Sequence, residues 1–259
     1  MVRGALLATC LLAARARAGD LPFSVRTSCG IIAPALGDVR AALKDERDGL
    51  QGSGWTGGGI PASDLDWGPS GGIEVLWRPR GRFAYTACFR GSRIIGKGTF
   101  AGTGSAGGQT VTRSAQYEPM GGEVGASWVA AESVAGSWVG PDLRAGLQAL
   151  VVSRDGASEA GPVRWYHWDR SLSALAPSVL LGASAEWRGP EHPPLFIRAG
   201  YRFLKFAKVT GASSNADGVK STGTVRSGNK DTALDFSGPE VEVGVTWTFS
   251  ASSEASPAP

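Results

Sequence analysis

The sequence predicts an all-β chain, an eight-stranded antiparallel up-and-down transmembrane β-barrel. Three observations predict it. Many short segments alternate apolar and polar residues, which puts the two kinds on opposite faces of a strand. No apolar run approaches the roughly 20 residues that a transmembrane helix needs. Gly supplies 38 of the 259 residues, about twice its usual share. A chain that crosses a membrane without a helix must close its sheet, because backbone groups in lipid need internal partners.

Residues 1–18 read as an export signal: Arg3, an apolar stretch from Ala5 to Ala14, and Ala16-Arg17-Ala18 before Gly19. Cys10 follows Leu7-Ala8-Thr9, a poor match to an acylation site. Removing this segment takes three arginines and no acid, so Lys+Arg falls from 26 to 23 and equals Asp+Glu at 23. The mature chain is near neutral, which gives no reason to expect a nucleic-acid partner. Two cysteines remain, Cys29 and Cys88. Their strand phases put them on opposite faces of the wall, so a disulfide-stapled fold is not expected.

Eight strands follow from the alternation. The first, about 23–31, sets Phe23, Val25 and Ile31 against Ser24, Arg26 and Ser28. The second, about 71–78, sets Ile73, Val75 and Trp77 against Glu74 and Arg78. Pro79-Arg80-Gly81 makes a tight turn into the third, about 82–91, where Phe83, Tyr85, Ala87 and Phe89 oppose Arg82, Thr86, Cys88 and Arg90. The fifth, about 141–152, sets Leu143, Leu147 and Val151 against Arg144, Gly146 and Gln148. The sixth, about 174–188, sets Leu175, Val179, Leu181 and Trp187 against Ser178, Ser184, Glu186 and Arg188. The seventh, about 194–206, sets Leu195, Ile197, Tyr201 and Phe203 against Arg198, Gly200 and Arg202. The eighth, 239–249, sets Val241, Val243, Val245, Trp247 and Phe249 against Glu240, Glu242, Gly244 and Thr246. One apolar face and one polar face suit a wall between lipid and a polar lumen.

The fourth segment, 109–131, changes phase. Val111, Ala115 and Tyr117 oppose even polar residues, whereas from Gly122 onward Val124, Ala126 and Trp128 oppose Glu123 and Ser127. Either a hairpin at Pro119-Met120-Gly121-Gly122 separates two strands or a bulge shifts the phase by one residue. Membrane barrels have even strand numbers, with short turns at one end and long loops at the other. Counting back from the last strand, a single bulged strand preserves that alternation and a hairpin breaks it. The bulge is therefore expected, with Tyr117 facing lipid near the outer interface beside Tyr201 and Phe203. Trp77, Trp128, Trp187 and Trp247 then lie on apolar faces at one level, as a periplasmic aromatic girdle. In the first long loop, Asp38 is a plausible N-cap for a helix over Val39 to Leu50, expected as a solvated cap on the barrel mouth.

With these strands in place, the chain resembles the small eight-stranded outer-membrane β-barrels of Gram-negative bacteria, the OmpA/OmpX/OmpW-like group. The resemblance is most specific at the C-terminus, where Glu242, Gly244, Trp247 and Phe249 match the group's assembly signal. It implies a bacterial outer-membrane location, recognition by the barrel-assembly machinery, and contact with outer-membrane lipid and lipopolysaccharide. Ser250 to Pro259 continue beyond the aromatic end as a Ser-, Ala- and Pro-rich tail expected to be disordered. The expected organisation is thus a signal at 1–18, a barrel at 19–249 and a tail at 250–259.

No catalytic or metal constellation stands out, and no cofactor is expected. His192 lies in a proline-rich turn. His167, Asp169 and Ser171 supply the residue types of a lipid A hydrolase within one loop, but so close in sequence they are a poor basis for a triad. The residues singled out are the lumen-face charges: Glu74, Arg82, Arg90, Arg144, Glu186, Arg198, Arg202, Glu240 and Glu242. Because strands seven and eight are neighbours, Arg198 and Arg202 are expected to pair with Glu240 and Glu242. Eight strands leave an interior just wide enough for side chains. A salt-bridged plug is therefore expected before a narrow pore for solutes or ions, and a non-enzymatic structural or surface-interaction role before a lipid A-modifying enzyme. No extracellular ligand is identified by the sequence.

Overall fold

The computed structural model describes residues 23–248, apart from 53, 80, 103–109, 159–171, 191, 208, 215–219, 225, 228–229 and 232. The signal, the tail, Phe249 and the His167, Asp169 and Ser171 loop lie outside the described residues.

Eight long antiparallel strands close on themselves. They are β1 (Phe23–Ile32), β2 (Gly68–Trp77), β3 (Phe83–Ser92), β4 (Thr110–Trp128), β5 (Trp138–Ser158), β6 (Leu172–Trp187), β7 (Leu195–Phe206) and β8 (Gly238–Thr248). Each pairs with its sequence neighbours, and β1 pairs with β8 from Ser24↔Thr248 to Ile32↔Glu240 to shut the barrel. Both ends of the described chain lie at one end of the barrel, with the short connections 78–82, 129–137 and 188–194. The described strands end at the other, where the chain leaves them for the long connections 33–67, 93–109, 159–171 and 207–237.

The wall wears a belt of exposed apolar side chains. Ile73, Phe89, Val124, Leu143, Leu147, Leu181, Ile197 and Val243 all point outward. On β4 the belt runs from Trp128 to Met120. Eight steps of about 3.4 Å, tilted near 40°, rise about 21 Å, close to the ~25 Å apolar band of membrane barrels.

The strand β4 contains no bulge. Its register with β5 runs unbroken from Val111↔Ser158 to Ser127↔Asp142. The change of phase in the sequence has a different cause. Odd residues point inward throughout, with Glu123 and Ser127 buried in the lower half and Ala115 and Tyr117 buried in the upper half. What changes is the surroundings. Within the membrane the outside is lipid and the lumen is polar. Beyond it the outside is water, and the interior is an ordinary apolar core. Tyr117 is 0% exposed and packs inward against Phe236, 6.2 Å between ring centroids. It does not face lipid as the sequence suggested. The neighbouring strand Ile94–Gly102 continues the register of β3 along β4, since Gly91↔Met120 is followed by Ile94↔Tyr117. Together these strands carry the wall well past the membrane as a second storey.

That storey has its own core. Leu36, Val39, Leu65, Ile94, Tyr117, Leu150, Val152, Leu204, Phe206, Leu234 and Phe236 form one buried apolar cluster. The helix α1 (Gly37–Gly52) packs against it. The helix begins one residue before Asp38, which sits in the first turn. It is less solvated than expected: Val39 is fully buried and Leu43 packs against the cluster. One turn apart, these two residues share a face. Arg40 fastens the helix by an ion pair to Asp66 at 2.7 Å and by donating to the Pro34 and Leu65 carbonyls at 3.4 Å each. The strap leading to it is laced to the start of β8 and the chain just before it, with Ala33 N donating to Pro239 O and Leu36 N to Asp235 O.

The inversion is testable by introducing charge at two heights on β4. Val124→Lys, in mid-membrane, is expected to lower unfolding free energy by about 2–4 kcal/mol. Gln116→Glu, outside the membrane and still an acceptor for Arg93 Nη2, is expected to leave it unchanged in urea titrations of the folded protein. Comparable losses at both positions would return Gln116 to the lipid or the core.

Candidate functional site

The lumen within the membrane is filled by charge. Among the described residues, five arginines (Arg26, Arg90, Arg144, Arg198, Arg202) and six carboxylates (Glu74, Glu123, Asp142, Glu186, Glu240, Glu242) are buried there. Half-exposed Arg188 adds a sixth cation at the rim. Each of the eight strands contributes at least one of these side chains. An isolated charge buried in such a space costs several kcal/mol, so each must meet partners.

Glu74 on β2 sits at the centre of the lower part. Its Oε2 receives Arg144 Nη1 at 2.5 Å and Arg198 Nη2 at 2.9 Å, and its Oε1 receives Arg26 Nη1 at 3.1 Å. Arg144 Nε donates to Asp142 Oδ2 at 2.9 Å, and Asp142 also accepts from Ser127 Oγ at 2.6 Å. Nearer the terminal end, Arg26 Nη2 donates to Glu186 Oε2 at 2.6 Å and Arg188 Nε to Glu186 Oε1 at 2.8 Å. Arg26 also lies over the rings of Phe196, 4.8 Å from its centroid, and Trp138, 5.6 Å, where an aromatic face attracts a cation. These rings floor the lumen. Gly244 makes room for one of them: a Cβ there would lie 2.5 Å from the Phe196 ring and 2.1 Å from Thr27 O.

The upper part is joined to the lower by Glu242, which receives Arg198 Nη1 at 2.8 Å and also pairs with Arg90. Arg90 pairs in turn with Glu240, and Arg202 donates to Glu240 Oε2 at 2.8 Å and to Glu123. Glu123 further accepts from Ser178 Oγ at 2.7 Å and Gln148 Nε2 at 2.9 Å. The result is one connected chain of alternating charges from Glu186 to Glu123. Where it meets the apolar storey, Arg90, Gln148, Arg202, Glu240 and Leu204 surround a cavity of about 10 Å³, room for a single water.

The structure thus places Glu74, Arg90, Arg144, Glu186, Arg198, Arg202, Glu240 and Glu242 together in the lumen. Arg82 is not among them. It is exposed, one residue before β3 begins, so the inward phase of that strand never acts on it. The pairs between β7 and β8 are Arg198 with Glu242 and Arg202 with Glu240; Arg202 takes Glu123 as its second partner instead of Glu242. Three buried members are absent from the sequence-based set, Arg26, Glu123 and Asp142, as is Arg188 at the rim. Strand phase was a usable signal for all three. Arg26 belongs to the weakest strand pattern, Glu123 lies at the apparent phase change, and Asp142 follows Pro141 at the start of the strand as read from the sequence, three residues inside where β5 begins.

Of the aromatic set, Trp77, Trp128 and Trp187 end their strands on the terminal side, and Trp247 is next to last in β8. Trp128, Trp187 and Trp247 are exposed on the wall. Trp77 is half-buried and stacks on Tyr85 with 5.3 Å between centroids. Of the C-terminal motif, Glu242 lies in the charge network, Gly244 faces Phe196 and Trp247 faces outward. Cys88 is buried beside Arg144, with Sγ 3.4 Å from Nη1, and Cys29 is exposed on the outside. No group of three or more His, Cys, Asp or Glu converges on a possible metal position among the described residues.

No protein-family model matches the sequence, and no curated protein matches it. Solved structures do match. A major outer membrane protein from Thermus thermophilus aligns with a TM-score of 0.50 and 12% identity, over 89% of this chain and 100% of that one. The outer membrane protein OprG from Pseudomonas aeruginosa aligns over 90% and 98% of the two chains with 9% identity and a TM-score of 0.41. The outer membrane protease OmpT from Escherichia coli aligns over 88% and 96% with 6% identity and a TM-score of 0.40. At these identities the likeness speaks to fold, and of these three it is the Thermus structure that carries that weight. Closure, strand number, lipid-facing belt and this likeness agree on the fold of a bacterial outer-membrane β-barrel.

Breaking one buried pair leaves the other charge uncompensated, which typically costs about 3–5 kcal/mol. Arg202→Met is therefore expected to destabilise the barrel by about that much, and adding Glu240→Gln, which neutralises one of the carboxylates it strands, to cost less than the sum of the two single losses. Strictly additive losses in urea titrations would show that the pair is not coupled.

Proposed function

Starting from an outer-membrane β-barrel fold, we propose that this chain is a non-conducting, non-enzymatic barrel with a structural or surface-interaction role. Its long connections, at the end away from the termini, form the interacting face. In barrels of this kind short turns are periplasmic and long loops external, so the second storey stands on the cell surface. Its surroundings there are phospholipid and lipopolysaccharide, and the C-terminal strand is the segment offered to the barrel-assembly machinery.

The observation that carries this reading is the double filling of the lumen. A connected charge network occupies the membrane section. The apolar core and α1 close the section above it. A conducting path would need a continuous column of water, and the cavity between the two layers holds about one molecule. Arginine forks held by two or three carboxylates each are also poorly suited to a passing ion, which would have to displace several charge-assisted hydrogen bonds at once. The enzymatic alternative draws only on His167, Asp169 and Ser171, outside the described residues.

Folded protein reconstituted into planar bilayers is expected to give no unitary current steps at neutral pH. Discrete steps from preparations verified by heat-dependent gel mobility would replace the plug with a pore. A lipid A mass shift on expression, lost on His167→Ala, would replace the structural role with an enzymatic one.

A further inference from the structure

The lipid-facing wall is not uniform. Across β6, β7, β8 and β1 it carries an apolar concavity of about 560 Å³, within the range of about 300–1,000 Å³ typical of small-molecule sites. Its outward lining sets small Ala185 and Cys29 at the two sides and Ile197 and Val243 between them. Register puts Ala185 beside Ile197, Ile197 beside Val243, and Val243 beside Cys29. Bulkier Trp187 and Leu195, themselves paired, bound it toward the terminal rim. Its depth in the membrane follows from the same pairings. Trp187 ends β6 and Leu195 begins β7 at the level of the aromatic girdle, whereas Cys29 and Val243 lie four residues up the strand from Trp247. The concavity therefore runs from the headgroup boundary into the hydrocarbon of the leaflet on the terminal side.

We infer that this concavity holds one acyl chain of a phospholipid, retained more tightly than the exchangeable lipid around the belt. Two observations select this occupant. The outward lining is apolar, and the one charged residue that borders it, Glu186, has its carboxylate turned into the lumen and held by Arg26 and Arg188. A polar ligand would leave its own hydrogen-bonding groups unpaired there. The concavity is also continuous with the lipid-facing belt, and its rim is Trp187, whose amphipathic ring suits the headgroup level. The inference needs the barrel to span a membrane. It does not depend on whether the lumen conducts.

The test is native mass spectrometry of wild type, Ala185→Trp and Ala87→Trp, purified from outer membranes and exchanged into lipid-free detergent. Folding of each is verified by heat-dependent gel mobility. Ala185→Trp fills the concavity with an apolar group, and Ala87→Trp places the same group on the outer face of β3. Wild type and Ala87→Trp are expected to retain one phospholipid mass per barrel, and Ala185→Trp to lose it. Cys29→Leu, which fills the concavity from β1, is expected to lose it too and serves if Ala185→Trp does not fold. Equal retention in all variants, no retained phospholipid in wild type, or retained lipopolysaccharide in its place would each overturn the inference.

Discussion

Narrowness governs this molecule. Eight strands close around a space that side chains can fill but bulk water cannot. Every strand must send alternate residues into it, and a wall facing lipid requires those residues to carry the chain's polarity. The only stable solution is mutual neutralisation, and it cannot be local. Glu74 serves arginines from β1, β5 and β7, and Glu242 joins Arg198 to Arg90. Buried ion pairs are a weak source of net stability, because desolvation offsets much of the attraction. Their value here lies in register. A strand that slips by one residue carries its charge into lipid and strands its partners in the lumen.

The same wall then solves the opposite problem above the membrane. There the outside is water, so the interior can be apolar, and Tyr117, Leu150, Val152 and Phe206 use it in the manner of a soluble core. The two storeys share strands, register and inward phase. They differ only in which solvent lies outside. The helix α1 completes the upper storey through Val39 and Leu43, with Arg40 clamped to Asp66. An upper storey built this way holds its connections on a packed base instead of a ring of isolated hairpins.

The eight strands were legible in the sequence, seven to within a few residues and β5 short of its upper end by six, because alternation over a lipid-facing wall is a strong signal wherever the wall lies in the membrane. Most of the charge network was legible for the same reason. What failed did so where one assumption broke, namely that the apolar face is always the outer face. On β4 that assumption turned a change of solvent into a bulge and aimed Tyr117 at lipid. The upper core escaped notice with it, since Leu204 and Phe206 share the inward phase of Arg198 and Arg202. Leu234 and Phe236 sit in a long connection that carries no periodicity. Arg82 failed differently. Phase predicts direction only within a strand, and Arg82 stands just outside one.

The unbroken register of β4 with β5 limits how this chain can evolve. In many proteins an inserted residue in a strand is absorbed by a local irregularity. Here one insertion near Met120 would rotate every residue beyond it by half a turn while leaving those below in place. The upper storey would then present Thr112, Ser114 and Gln116 to its own core and release Tyr117 to water. Substitutions can accumulate singly along these ribs, but length changes within them cannot. Variation in length is left to the long connections beyond the ribs.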